Sequence, residues 1–375
     1  MSSSRTLPLA ASPPDLQSDW RAQVRNAITS LASLEQHFVL TDAEREGAKR
    51  AEAAGFPMSI TPYYASLADK HDPSCPIRLQ CVPTALESIE VPGDLRDPLG
   101  EEDHTVATHL VSRYPDRALL LVTDRCSVYC RFCTRSRMVG QDGGARPLSE
   151  LDGAFTWLSE NKQITDVIVS GGDPLVMTDG RIEAILERLR SLSHLDTIRV
   201  ATRTPVTLPQ RIDTSLAKLL RGTSNEGPAT WVMTHFNHPK ELTHESTRAL
   251  SCLVDQGIPV MNQCVLLRGI NDSTETLSTL FRGLVRRRVR PYYLLQADVV
   301  RGTGHLRTPL DTGLRIMSEL QGRLSGIALP KFIVDTPRGM GKVPMQTDAL
   351  VRSEAGVHTL RTWRGVDVDY IDPPH

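Results

Sequence analysis

The chain has 375 residues, 40% of them hydrophobic, and carries 43 basic against 44 acidic side chains for a formal net charge of -1. That balance excludes the basic excess of an electrostatic nucleic-acid binder or a polybasic membrane-surface protein. No apolar stretch reaches the length needed to cross a bilayer. The seven cysteines (Cys75, Cys81, Cys126, Cys130, Cys133, Cys252 and Cys264) are odd in number, and three fall within eight residues. In a chain with no recognisable secretion signal this points to metal or redox chemistry rather than a disulfide scaffold.

In chain order, residues 1–17 read as a Ser/Pro-rich leader without the apolar block of a signal peptide, so a cytoplasmic protein is expected. Residues 17–55 read as helical: Trp20, Val24, Ile28 and Leu31 recur at helical spacing, and Thr41 with Glu44 predicts a capping box opening a second helix. Residues 56–105, rich in Pro and Asp, read as an irregular extended arm with little core of its own. From Arg117 apolar runs alternate with amphipathic stretches. The strands predicted are Ala118–Thr123, Asp166–Ser170, Thr197–Thr202, Thr230–His235, Val260–Leu266 and Pro291–Gln296. Helices are predicted between and after them at 149–161, 180–192, 213–221, 240–256, 273–288 and 311–324. Such alternation implies parallel strands joined by right-handed crossovers, buried on both faces.

The fold class expected is therefore α/β, a partial (β/α)6 barrel rather than a full eight-unit one. The expected divisions are an N-terminal helical region and arm at 1–110, the barrel at 111–325 and a C-terminal segment at 326–375. That last segment contains a strand, Lys331–Val334, and a tail, 357–375, with some strand character. The basic run from Arg286 to Arg290 closes a helix and reads as a complement to its C-terminal dipole on a solvated face.

Cys126, Cys130 and Cys133 follow the first predicted barrel strand directly, at the end of a parallel sheet where α/β active sites form. Three thiolates can bind three irons of a four-iron cluster and leave the fourth open to a small molecule. An electron-transfer cluster would normally use four cysteines, and a structural zinc site four ligands. The C-x3-C-x2-C spacing resembles the radical-SAM superfamily. There the open iron chelates S-adenosylmethionine (SAM), and an electron from the cluster splits it to a 5′-deoxyadenosyl radical. The resemblance places Phe132 against adenine. It also matches Ser170, Gly171, Gly172 and Asp173, which alone read equally as a strand-to-loop turn, to the glycine-rich segment that contacts the SAM amino group. Asp173 stands there in place of the usual Glu.

After Lys331–Val334 a loop with Gly339 and Gly341 presents Lys342. It is not a P-loop, because Val343 replaces the Ser/Thr that must follow the lysine. The chemistry of the segment leaves Lys342 open between a lysine that forms a Schiff base and a surface lysine. The chain further resembles the lysine 2,3-aminomutase family, radical-SAM enzymes that also use pyridoxal phosphate (PLP). The resemblance runs from about Asp19 to about Pro344. It includes Asp19–Arg21, Thr61–Tyr64, Arg113–Arg117, the cysteine cluster, Arg203–Pro205, Thr234–Pro239 and Arg290–Tyr293. It implies that Lys342 is the PLP lysine, that Arg113, Tyr114 and Arg117 grip the PLP phosphate, and that His235 and Gln263 contact SAM.

The same resemblance gives Arg135 to the substrate carboxylate and Asp298 and Asp335 to the distal amino group. Two carboxylates in one pocket favour a cationic side chain and oppose glutamate. The implied substrate is free L-lysine, isomerised to β-lysine, with arginine its nearest rival. The implied partners are a reductant such as flavodoxin or ferredoxin and further copies of the chain in a homo-oligomer. Where the best-known lysine enzymes carry a zinc-ligating cysteine this chain has Ser273, and no cysteine follows Cys264. No structural zinc is expected.

Overall fold

The computed structural model describes residues 19–53, 57–141, 144–223, 227–346 and 349–373; the leader lies outside them. Ten strands form one sheet in chain order: β1 (Thr105–Ala107), β2 (Leu110–Tyr114), β3 (Arg117–Thr123), β4 (Asp166–Gly171), β5 (Thr197–Ala201), β6 (Ala229–Thr234), β7 (Val260–Leu266), β8 (Arg290–Gln296), β9 (Lys331–Thr336) and β10 (Gly341–Met345). From β3 to β9 every pairing is parallel. β1 and β2 extend one edge and β10 the other by antiparallel pairing. Six βα units thus lead into a seventh parallel strand. The sheet stays open, a partial barrel, because β1 and β10 do not pair. It runs through both expected divisions, 110/111 and 325/326, so neither is a break in the hydrogen-bond ladder. No helix of the described residues is long and apolar enough to cross a membrane.

The crossover helices lie at Asp152–Glu160, Asp179–Arg190, Thr214–Arg221, His244–Asp255, Thr274–Arg286 and Leu310–Leu320, within a few residues of expectation. They start where a side chain can take up free amide hydrogens: Asp213, Thr243 and Ser273 each accept a bond from the first turn. Ser273 is thus the N-cap of its helix. In the basic run, Arg286 lies in the last helical turn and Arg287 donates to the carbonyls of Gly283 and Leu242, as a dipole complement should. Their buried faces, among them Leu186, Leu220, Leu253, Phe281 and Ile316, pack on strands such as Val167–Val169 and Ile198–Val200 in a single core.

Two N-terminal expectations need correction. The helical reading of 17–55 breaks between Trp20–Arg25 and Leu31–His37, because Ile28 leaves the helix to pair with Ile60 and Ser30 caps a new one. The Thr41–Glu44 capping box is present, with Thr41 N–H donating to Glu44 at 2.7 Å. The arm is not coreless. Tyr64, Cys75, Ile77 and Cys81 are buried in the main core, and short helices occupy Pro62–Ser66 and Arg78–Cys81. Beyond β10, β11 (Leu350–Glu354), β12 (Val357–Arg361) and β13 (Asp367–Ile371) form a separate antiparallel sheet.

The arm is locked by Arg78, whose side chain is fully out of solvent. It makes a two-pronged pair with Glu44, both bonds 2.7 Å, and donates to the carbonyls of Val39 (2.8 Å) and Lys70 (2.9 Å). Removing it leaves the buried Glu44 carboxylate without its counter-charge and takes a donor from the Val39 and Lys70 carbonyls. Arg78→Met is expected to destabilise the fold by about 3–5 kcal/mol, read by denaturant unfolding.

Candidate active site

The C-terminal ends of the parallel strands open onto a cavity of about 600 Å³. Every candidate site residue lines it: Cys126, Cys130 and Cys133; Phe132; Ser170, Gly171, Gly172 and Asp173; His235 and Gln263; Arg113, Tyr114 and Arg117; Arg135, Asp298, Asp335 and Lys342. The sheet brings them together from the loops after β3, β4, β6 and β8 and from positions on β2, β3, β4, β7, β9 and β10.

The cysteine loop is pinned by the glycines after β4. Gly172 N–H donates to the Thr123 carbonyl (2.6 Å), and Asp173 N–H donates to the Arg125 carbonyl (2.9 Å). A Cβ on Gly171 would lie 2.2 Å from the Thr123 oxygen, and one on Gly172 2.4 Å from the Arg125 oxygen. Gly171 also has φ +115°, a conformation costly for other residues. Asp173 is buried and fully engaged, accepting from Leu175 N–H, the Thr202 hydroxyl and Arg203 N–H.

All three cluster cysteines are free thiols. Burial pushes the Cys126 thiol well up, with Asp173, Cys133 and Cys130 adding to it; burial and Cys130 push Cys133 up to about 11. Thiols raised in this way need positive charge to exist as thiolates, which bound iron would supply. The donor set therefore fits an iron–sulfur cluster with one open corner. Beside it, the Phe132 and His235 rings are tilted against each other at 5.5 Å. Burial, then Arg203, drives the His235 imidazole down to about 3, so it is neutral; its Nε2 lies 3.1 Å from Asn237 Oδ1.

A second group gathers across the cavity. Arg113 and Arg117 place their guanidinium carbons 5.4 Å and 4.3 Å from the Tyr114 ring centre. Lys342 N–H donates to the Tyr114 hydroxyl at 3.0 Å. Asp335 is held between Arg113 (3.0 Å) and the Lys342 ammonium. A lysine beside two arginines on an aromatic platform suits a phosphate-bearing aldehyde such as PLP, the arginines for the phosphate and the amine for the carbonyl. Asp298 completes the group: burial, then the charge of Asp335, raises its carboxyl to about 7.

Residues beyond those expected also line the cavity. Glu101, from the arm, accepts two bonds from Arg135 Nε (2.9 and 3.2 Å) and one from Arg137 (3.0 Å). Tyr292 and Tyr293 are consecutive, yet both line the cavity, because the β7–β8 register slips after Asn262, which pairs with Pro291. Their rings stack at 3.7 Å. A proline at the start of an interior strand is the one sequence signal of that slip. Glu101 has no such signal.

Residues 120–280 match the family model described as the radical SAM superfamily, and residues 317–375 the model described as lysine-2,3-aminomutase. The chain is 43% identical to the L-lysine 2,3-aminomutase of Clostridium subterminale over 355 residues, 95% of this chain and 84% of that one. It is 43% identical to the L-lysine 2,3-aminomutase of Bacillus subtilis over 96% of this chain and 76% of that one. It is also 39% identical to the glutamate 2,3-aminomutase of Clostridioides difficile over 96% of this chain and 84% of that one.

Adding one methyl group at the glycine hinge should loosen the cysteine loop. Gly172→Ala is expected to cost about 1–3 kcal/mol and to lower the iron bound per chain after reconstitution, with secondary structure intact by circular dichroism.

Proposed function

This chain belongs to the lysine 2,3-aminomutase family of radical-SAM isomerases, and we propose that it moves the α-amino group of L-lysine to the β-carbon. The observation that carries the substrate is the pairing of two half-buried acids, Asp298 and Asp335, in one cavity with the cation Arg135. A free amino acid with a cationic tail offers a carboxylate for Arg135 and an ammonium for the acids. Glutamate would bring a second carboxylate to two others and be repelled.

When bound, the cluster and SAM supply a carbon radical by one-electron cleavage, and PLP supplies a ring that stabilises an unpaired electron while nitrogen migrates. In this reading Cys126, Cys130 and Cys133 hold the cluster. Phe132 and neutral His235 give SAM an apolar and aromatic seat, and Gln263 and the Ser170–Asp173 backbone give it polar contacts. Arg113, Tyr114 and Arg117 would hold the PLP phosphate, and Lys342 would be the amine that bonds the cofactor; a Lys342 turned toward PLP would leave the Asp335 carboxylate to the substrate ammonium. Glu101 keeps the Arg135 fork oriented, leaving Nη1 to the substrate carboxylate. The reading calls for a low-potential electron donor such as flavodoxin or ferredoxin, and so for a cytoplasmic setting.

Anaerobic turnover with iron, sulfide, PLP, SAM, a reductant and separate amino acids tests this directly, with mass detection of isomeric β-amino acids. β-Lysine is expected, with none from Cys130→Ala or Lys342→Ala. β-Arginine in its place would move the substrate, and SAM cleavage without any isomer would contradict the reading. Asp298 adds a pH signature. Its carboxyl is neutral below about 7 and charged above. Lysine binding should therefore strengthen as pH rises through that value, and Asp298→Asn should weaken binding and remove this step, as read by KM against pH.

A further inference from the structure

Arg203 follows β5; its buried guanidinium lines the cavity beside the cysteine loop and lies 5.3 Å from the Phe132 ring centre, with no contact to SAM, PLP or substrate assigned to it above. Its Nη1 lies 2.6 Å from Cys130 Sγ. Its Nη2 donates to Gln80 Oε1 (2.5 Å), Glu241 Oε1 (2.8 Å) and the Tyr64 hydroxyl (3.1 Å), and its Nε donates to the His235 carbonyl (3.2 Å). Glu241, fully buried, also accepts from the Tyr64 hydroxyl (2.8 Å), Gln80 Nε2 (3.2 Å), Asn237 N–H (2.6 Å) and His238 N–H (3.0 Å). Three segments of the family resemblance, Thr61–Tyr64, Arg203–Pro205 and Thr234–Pro239, meet at this one side chain.

A guanidinium is charged at any accessible pH and fixes five donors in a plane. Buried alone it would be intolerable, and Glu241 supplies the counter-charge. The arrangement is nevertheless asymmetric. One end of the fork is tied to a carboxylate, a phenol and an amide, and the other presents an N–H to sulfur. Cys130 therefore meets the positive end of a clamped ion pair. Hydrogen bonds and positive charge at a ligating sulfur stabilise the more electron-rich, reduced form of an iron–sulfur cluster.

We propose that Arg203 is a positioning residue that raises the reduction potential of the cluster held through Cys130, with Glu241, Tyr64 and Gln80 fixing its guanidinium on the sulfur. This rests on the cluster reading of Cys126, Cys130 and Cys133. It gives the arm, which supplies Tyr64 and Gln80, a part in setting how readily the cluster accepts an electron.

The test is an EPR-monitored redox titration of the reconstituted full chain as wild type, Arg203→Lys and Arg203→Gln. Arg203→Gln removes charge and fork, and should lower the one-electron reduction equilibrium by roughly tenfold, a 59 mV negative shift. Arg203→Lys keeps the charge without the fork and should fall between. A second measurement uses wild-type protein labelled with 15N-arginine and decides the matter should Arg203→Gln hold no cluster. Pulsed EPR of the reduced cluster should show coupling to an arginine nitrogen that disappears in Arg203→Lys. Equal potentials in the three proteins, no arginine coupling in wild type, or coupling that persists in Arg203→Lys overturns the inference alone. A wild-type chain that binds no cluster overturns the reading of the cysteine loop and this inference with it.

Discussion

The close approach of two backbone segments governs this active site. The loop carrying three cysteines has no regular structure of its own. It is held because Gly171 and Gly172 let the turn after β4 lie directly on the Thr123 and Arg125 carbonyls. An open sheet of seven parallel strands gathers the remaining polar groups from its strands and the loops after them, and the crossover helices cover its outer face. Arg113 and Tyr114 at one antiparallel edge, and Lys342 at the other, meet because the sheet curls without closing.

The cavity holds several charges, and most already have a partner: Asp335 is shared by Arg113 and Lys342, Glu101 is shared by Arg135 and Arg137, and Arg203 is balanced by Glu241. At these positions ligands must trade places with existing partners. That favours ligands of matching charge: a phosphate for Arg113 and Arg117, an ammonium for Asp335 and Asp298. The desolvation of Asp298, which lifts its carboxyl to about 7, makes the same point, since a cation is what restores its charge.

Much of the architecture is legible in the sequence because parallel strands buried on both faces read as apolar runs, and the helices between them are amphipathic. β7 matches its expected bounds, and the other barrel strands agree to within two residues. The misses have local causes. Helical spacing across Trp20, Val24, Ile28 and Leu31 is broken by a single long-range bridge to Ile60. The arm reads as coreless because its core is lent by the barrel and its anchor is a charge, Arg78. β2 is short and half polar, so its sequence carries no strand pattern of its own. Site residues tied to the cysteine motif and the recognised family segments could be located from the sequence. Glu101 and the partnership of Arg203 with Gln80 and Glu241 join residues far apart in the chain, with no local pattern to betray them.

The most direct measurement of the central claim, that this cavity holds a radical source and a cationic amino acid together, is the EPR spectrum of the reconstituted protein frozen during turnover with L-lysine. An organic radical whose hyperfine pattern narrows when the lysine carbon-bound hydrogens are replaced by deuterium is the predicted result. A spectrum containing only cluster signals, or a radical indifferent to the labelling of lysine, would contradict it.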